Sequence, residues 1–193
     1  MKFIIDGFPR QANTTLIRLI KNVFGNEISN EYPSHDLESI KSEFVLGSKI
    51  LFPTRNPLDA IGSFVGMQMI RFPEEQHQPM LDHTINRALD SLKLFQEYII
   101  ENINKVHIIK FEDIIKMSED YKNQNIQNNK TINRLSKEYD LKITKVMSPL
   151  FDSFSEYSST KNLEVEEQLL GKEFKEILDL ILKNYNYLVN KSY

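Results

Sequence analysis

The chain has 193 residues, 40% of them hydrophobic and none of them cysteine. That length lets one domain bury a substantial core unaided, and the lack of thiols excludes disulfides and thiolate metal sites. A net charge of −3 and a pI near 5.9 exclude the overall basic character of a general nucleic-acid binder, so any anion site has to be local. The first residues meet Asp6 too early for a secretory signal, and no apolar run reaches the length of a membrane span. A single soluble, cytoplasmic domain over residues 1–193 is expected.

In chain order, Phe3-Ile4-Ile5 reads as a short buried strand and Asp6 to Ala12, with Gly7, Pro9 and Arg10, as a turn. A helix follows from Thr14 to Phe24, with Leu16, Ile17, Leu19, Ile20, Val23 and Phe24 at helical spacing and Gly25 as its stop. Free backbone N–H groups at such a helix start, with the dipole behind them, suit a phosphate or sulfate group, and Arg10 adds a permanent cation able to grip it with two hydrogen bonds. Residues 26–47 are polar, with an extended candidate around Ile28 to His35 and a helix from Leu37 to Leu46.

A second strand, Ile50 to Thr54, delivers Arg55 to its carboxyl end. Asn56 then suits a helix cap, Pro57 the first helical position and Asp59 the first turn. Ser63 falls one turn beyond Asp59 on the same face. Gly62 and Gly66 flank it, each costing about 1 kcal/mol relative to alanine inside a helix, so something comes close to that face. The helix runs to about Arg71 with Met67 and Met69 in its latter half, and Phe72 to Pro79 forms a polar loop. A long amphipathic helix spans Leu81 to Ile103. Val106 to Phe111 is a third strand running into a helix start, where Glu112 and Asp113 serve as first-turn acids or orient Arg10 or Arg55. Residues 118–131 lack apolar periodicity and read as a mobile loop or insertion, before a short helix at Ile132 to Tyr139. The C-terminal helices, ending in Tyr185-Asn186-Tyr187-Leu188, read as packing.

Two resemblances attach to the first loop. Ile4-Ile5-Asp6-Gly7-Phe8-Pro9-Arg10 resembles the signature loop of adenylate kinases, but the chain has no G-x-x-x-x-G-K-[ST] to cradle a nucleotide's phosphates. Pro9-Arg10-Gln11-Ala12-Asn13-Thr14-Thr15-Leu16 resembles the loop with which sulfotransferases hold the 5′-phosphosulfate of PAPS (3′-phosphoadenosine 5′-phosphosulfate), with Gln11, Ala12 and Thr15 where that family has Ser, Gly and Trp. Arg55-Asn56-Pro57-Leu58-Asp59-Ala60-Ile61-Gly62-Ser63 resembles the same family's Arg-Asn-Pro-x-Asp-x-x-x-Ser segment, whose Arg and Ser hold the 3′-phosphate. Both motifs, in order and each between a strand and a helix, favour the sulfotransferase resemblance. It covers most of residues 3–114 and thins afterwards. The family's Gly-x-x-Gly-x-Trp-Lys segment has no counterpart in Ser148 to Lys161, where Lys161 is at best a reduced substitute.

The resemblance implies a three-layer, P-loop-NTPase-like α/β fold with a central parallel sheet flanked by helices. It implies sulfuryl transfer from PAPS to a hydroxyl acceptor, or in second place an amine, with PAP (3′-phosphoadenosine 5′-phosphate) as product. Ser34-His35-Asp36 resembles the end of the family's Lys-Thr/Ser-His segment, which makes His35 the general base and leaves no auxiliary lysine. Arg10, Gln11, Ala12, Asn13, Thr14 and Thr15 would bind the 5′ end, with Arg10 also stabilising the departing charge, and Arg55 and Ser63 the 3′ end. His77, His83 and His107 have no comparable context, and no metal site is expected. A nucleotide kinase and a PAP-binding module without turnover stand as alternatives.

Overall fold

The computed structural model describes residues 3–25, 33–70, 73, 77–144, 165 and 167–192. Three strands form one parallel sheet: β1 (Phe3–Ile5), β2 (Lys49–Thr54) and β3 (Val106–Lys110), ordered β1-β2-β3. Ile4 lies opposite Ile50, and Ile50 opposite Val106. Near-continuous apolar sequence suits strands covered on both faces, and every residue from Phe3 to Ile5 and from Ile50 to Thr54 is buried. Pro53 sits in the central strand because β1 stops opposite Leu51, two residues earlier, so no hydrogen bond to β1 is lost there.

Alternation along the strands divides the core in two. Ile50, Phe52, Val106 and Ile108 face α2 (Leu37–Val45), α3 (Pro57–Met69), α4 (His77–Glu101) and the last helix, Lys175–Lys191. Phe3, Ile5, Leu51 and Ile109 face α1 (Asn13–Phe24), α5 (Phe111–Lys122) and α6 (Lys130–Tyr139). The last helix is α7. Helices therefore cover both faces of a central parallel sheet, giving the expected three layers in a mostly helical molecule. The apolar side of α1, from Leu16 to Phe24, is at most 4% exposed, each large side chain contributing about 2 kcal/mol of burial. Gly25 ends the helix at φ +73° while its N–H donates to Lys21 O at 2.8 Å.

Several boundaries differ from the sequence-based expectation. α4 begins at His77 rather than Leu81, which shortens the expected polar loop. Residues 118–131 are not a structureless insertion: α5 continues to Lys122, a 3₁₀ turn covers Ile126–Asn128, and Asn129 caps α6. Asn129 Oδ1 accepts from Thr131 N at 3.0 Å and Ile132 N at 3.1 Å, and its Nδ2 donates to Asp120 Oδ2 at 2.7 Å. Met69 is buried in the core. Residues 33–36 form no strand, while the rest of the extended candidate and the whole of Ser148 to Lys161 lie outside the described residues.

Candidate functional site

The two loops singled out from sequence leave the carboxyl ends of β1 and β2, the edge where parallel α/β sheets bind ligands. In the first loop Arg10 and Ala12 have positive φ, +69° and +65°, which non-glycine residues adopt at a cost of about 1–2 kcal/mol each. Gly7 is required by close approach: a Cβ there would stand 2.9 Å from the Phe52 ring and 3.1 Å from Gln11 Oε1. The helix that follows starts at Asn13 with no side chain capping it and no acid in its first turn, and its first backbone bond runs from Leu16 N to Ala12 O at 2.9 Å. Its leading N–H groups, on Asn13, Thr14 and Thr15, precede that bond.

Asp6, buried at the end of β1, is the hub of the loop. Its Oδ1 accepts from Gly7 N at 2.8 Å and His35 N at 3.1 Å, and its Oδ2 from Ser34 N at 2.9 Å and from the Ser34 hydroxyl. These bonds bring the stretch before α2 against the loop. His35 takes φ +54°, with Nδ1 2.9 Å from Gly7 O. A carbonyl only accepts, so Nδ1 carries the proton in the neutral ring. Asn13 Nδ2, 3.4 Å from Nδ1, spends its own hydrogens on Phe8 O at 3.0 Å and Gly7 O at 3.4 Å, consistent with that tautomer. Nε2 is then the basic nitrogen, on a side chain about 33% exposed. His35, with Asp36 and Leu37, forms one wall of an open cleft of about 350 Å³ whose other wall is α4, through Arg87, Asp90 and Leu94. Leu94 is 54% exposed there.

In the second loop Asn56 Oδ1 accepts from Leu58 N at 3.0 Å, and Pro57 opens α3. The Arg55 guanidinium lies 4.5 Å from the centre of the Phe111 ring, with Nε 3.8 Å from Asp59 Oδ2 and buried without a hydrogen bond among the described residues. Burial holds the Arg55 pKa below the usual guanidinium value; Asp59 opposes this, Arg10's like charge adds to it, and Glu112 opposes it. Arg10 itself donates from Nε to Ser63 Oγ at 2.9 Å. The charge of Arg10 thus acts on Arg55 from a different loop, with Arg10 held on the α3 face that carries Ser63.

Of the residues expected from sequence, Arg10 bonds Ser63 and acts on Arg55 through its charge, and Asn13 and His35 lie together over Gly7. Ser63 is bonded to Arg10, where the resemblance pairs it with Arg55. Gln11 is only 1% exposed and turns its side chain onto Gly7, and Ala12 contributes backbone alone, so these two shape the loop. Thr14 and Thr15 occupy the first turn of α1.

Sequence reasoning missed Asp6 as a tether, Phe111 as the surface under Arg55, and Tyr185. Burial, and then the charges of Glu112 and Asp59, push the pKa of the Tyr185 hydroxyl on α7 upward. Glu112 and Asp113 occupy the first turn of α5, and Glu112 also acts on Arg55 electrostatically.

Among the described residues no group of three His, Cys, Asp or Glu side chains is arranged to hold a metal ion, and no helix is long and apolar enough to cross a membrane. The fold is mixed α/β and mostly helical around a small three-stranded parallel sheet, with both loops at the carboxyl edge of that sheet. No family model matches the chain, nor does any curated protein or solved structure.

Proposed function

We propose that this chain is a PAPS-dependent sulfotransferase acting on a hydroxyl acceptor. The supporting observation is the approach of Arg10 to Arg55, near enough for one charge to disfavour the other. A partly buried guanidinium with a second cation near it is unfavourable alone and becomes favourable when an anion lies between or across the two. The orphaned Arg55 Nε, the uncapped start of α1 and the strained loop fit the same nucleotide, which carries negative charge at both ends.

In this reading Arg10 and the N–H groups of Asn13, Thr14 and Thr15 hold the 5′ end, and Arg55 holds the 3′-phosphate. Ser63 orients Arg10 through its hydroxyl. The acceptor enters the cleft between α2 and α4, with its hydroxyl toward His35. His35 Nε2 takes the hydroxyl proton as the new oxygen–sulfur bond forms. The bond from sulfur to the phosphate oxygen breaks with it, and Arg10 and the helix start neutralise charge on the departing phosphate.

Calorimetry with PAP, ADP and AMP tests this. Arg55→Ala is expected to weaken PAP binding about 100-fold, the loss of a charge-assisted contact to a phosphate, and to leave AMP binding nearly unchanged. Magnesium-dependent use of ATP, indifferent to a 3′-phosphate, would instead make the chain a nucleotide kinase. PAP binding without sulfuryl transfer to any acceptor would make it a binding module.

A further inference from the structure

We infer that Asp6 is a positioning residue that couples the base to the anion loop; the inference rests on the sulfuryl-transfer reading above. Four donors converge on this one buried carboxylate, two on each oxygen. Gly7 N belongs to the loop that holds the nucleotide, and Ser34 and His35 belong to the stretch that carries the base. A single side chain thereby fastens both to the end of β1.

The fastening has work to do. His35 at φ +54° is a non-glycine residue in the left-handed region, a conformation that persists only where its surroundings impose it. Hydrogen bonds to an ionised acceptor are strong enough to impose it. The Asp6 bond to His35 N fixes the backbone at the point from which the ring reaches Gly7 O, and that carbonyl selects the Nδ1–H tautomer. Asp6 Oδ1 is also 3.9 Å from Nδ1, so a carboxylate stands beside the ring when Nε2 receives the acceptor's proton and imidazolium forms. In a serine-protease triad the buried aspartate bonds Nδ1 directly; here Gly7 O takes that bond and Asp6 acts through the backbone and its nearby charge. Gly7 O further accepts from Asn13, the first residue of α1, so base and nucleotide loop share one scaffold.

Asp6→Asn keeps the shape, but its amide nitrogen faces one of the two donor pairs, so two of the four bonds fail. The expected result is a fall in kcat of about 10- to 100-fold, within the range of general-base effects, with PAP affinity altered less than about threefold. Nitrogen-15 NMR of the imidazoles should show one Nδ1–H tautomer for His35 in the parent chain and a mixture in the variant. An unchanged kcat, an unchanged tautomer, or a loss of PAP affinity as large as the loss of kcat would overturn the inference. Should Asp6→Asn show no cooperative melt, Ser34→Ala decides, since it removes one tie and leaves the carboxylate: a few-fold lower kcat at constant PAP affinity supports the coupling, and an unchanged kcat overturns it. If the parent chain binds no PAP, the sulfuryl-transfer reading fails by itself. The tautomer comparison then still decides whether Asp6 sets the state of His35.

Discussion

Two histidines, at opposite ends of one parallel sheet, show how differently the same side chain is used. His107, near the start of β3, is 2% exposed, with Nδ1 3.0 Å from the Tyr139 hydroxyl and 3.6 Å from Glu138 Oε1. Its backbone is ordinary strand and its ring packs edge-on against Tyr139 at 5.7 Å. Burial lowers its pKa more than Glu138 raises it, with Arg134 adding to the lowering. His35 is partly exposed, lies on strained backbone, and bonds through one nitrogen to a carbonyl, with a cleft beside it. A buried, bonded histidine in regular structure serves packing. Under the proposed function, a strained histidine held by a tether and left partly exposed is the one placed to exchange a proton.

The largest test of that contrast is His35→Ala, expected to lower kcat by about 100- to 10,000-fold while PAP affinity stays the same, by steady-state kinetics and calorimetry. If both fall together, His35 is holding the loop rather than moving protons. The counterpart is His107→Gln, which keeps a hydrogen-bonding group and should leave kcat unaltered. Because the folded pKa of His107 lies below its unfolded value near 6.5, the unfolded chain binds more protons below that pH, and stability falls as pH drops from about 6.5 toward the folded pKa. Denaturant titrations across this window should show a slope contribution of up to about 1.4 kcal/mol per pH unit in the parent chain, absent in the variant. An identical slope in both would remove His107 from the account. The smallest effect concerns loop strain: Ala12→Gly relieves a left-handed alanine and should raise stability by about 0.5–1 kcal/mol, while PAP binding weakens a few-fold as the loop loses its preset shape. A stability loss would show that the loop is not strained.

The strands and α1, α3 and α5 were legible in sequence because short apolar runs, an asparagine–proline helix start and a glycine stop each act over a few residues. The positions of the two loops at the carboxyl ends of β1 and β2 were legible for the same reason. What escaped was long-range or unpatterned. Asp6 reaches Ser34 across 28 positions and Arg10 reaches Ser63 across 53, and no local spacing encodes either contact. Positive φ at Arg10, Ala12 and His35 carries no glycine or asparagine signal. The order in 118–131 comes from asparagine side chains bonding to backbone and to Asp120, which an apolar repeat cannot reveal.

The seat of Arg55 on Phe111 has a consequence for ion selectivity. β3 passes into α5 without an intervening loop, which sets the Phe111 ring at the strand end with its centre 4.5 Å from the Arg55 guanidinium. A guanidinium resting on a ring discriminates by shape: its planar fork rewards a pair of oxygens and gives little to a spherical halide. Chloride at cellular concentration should therefore compete poorly for a position that a freely rotating lysine would have surrendered to it.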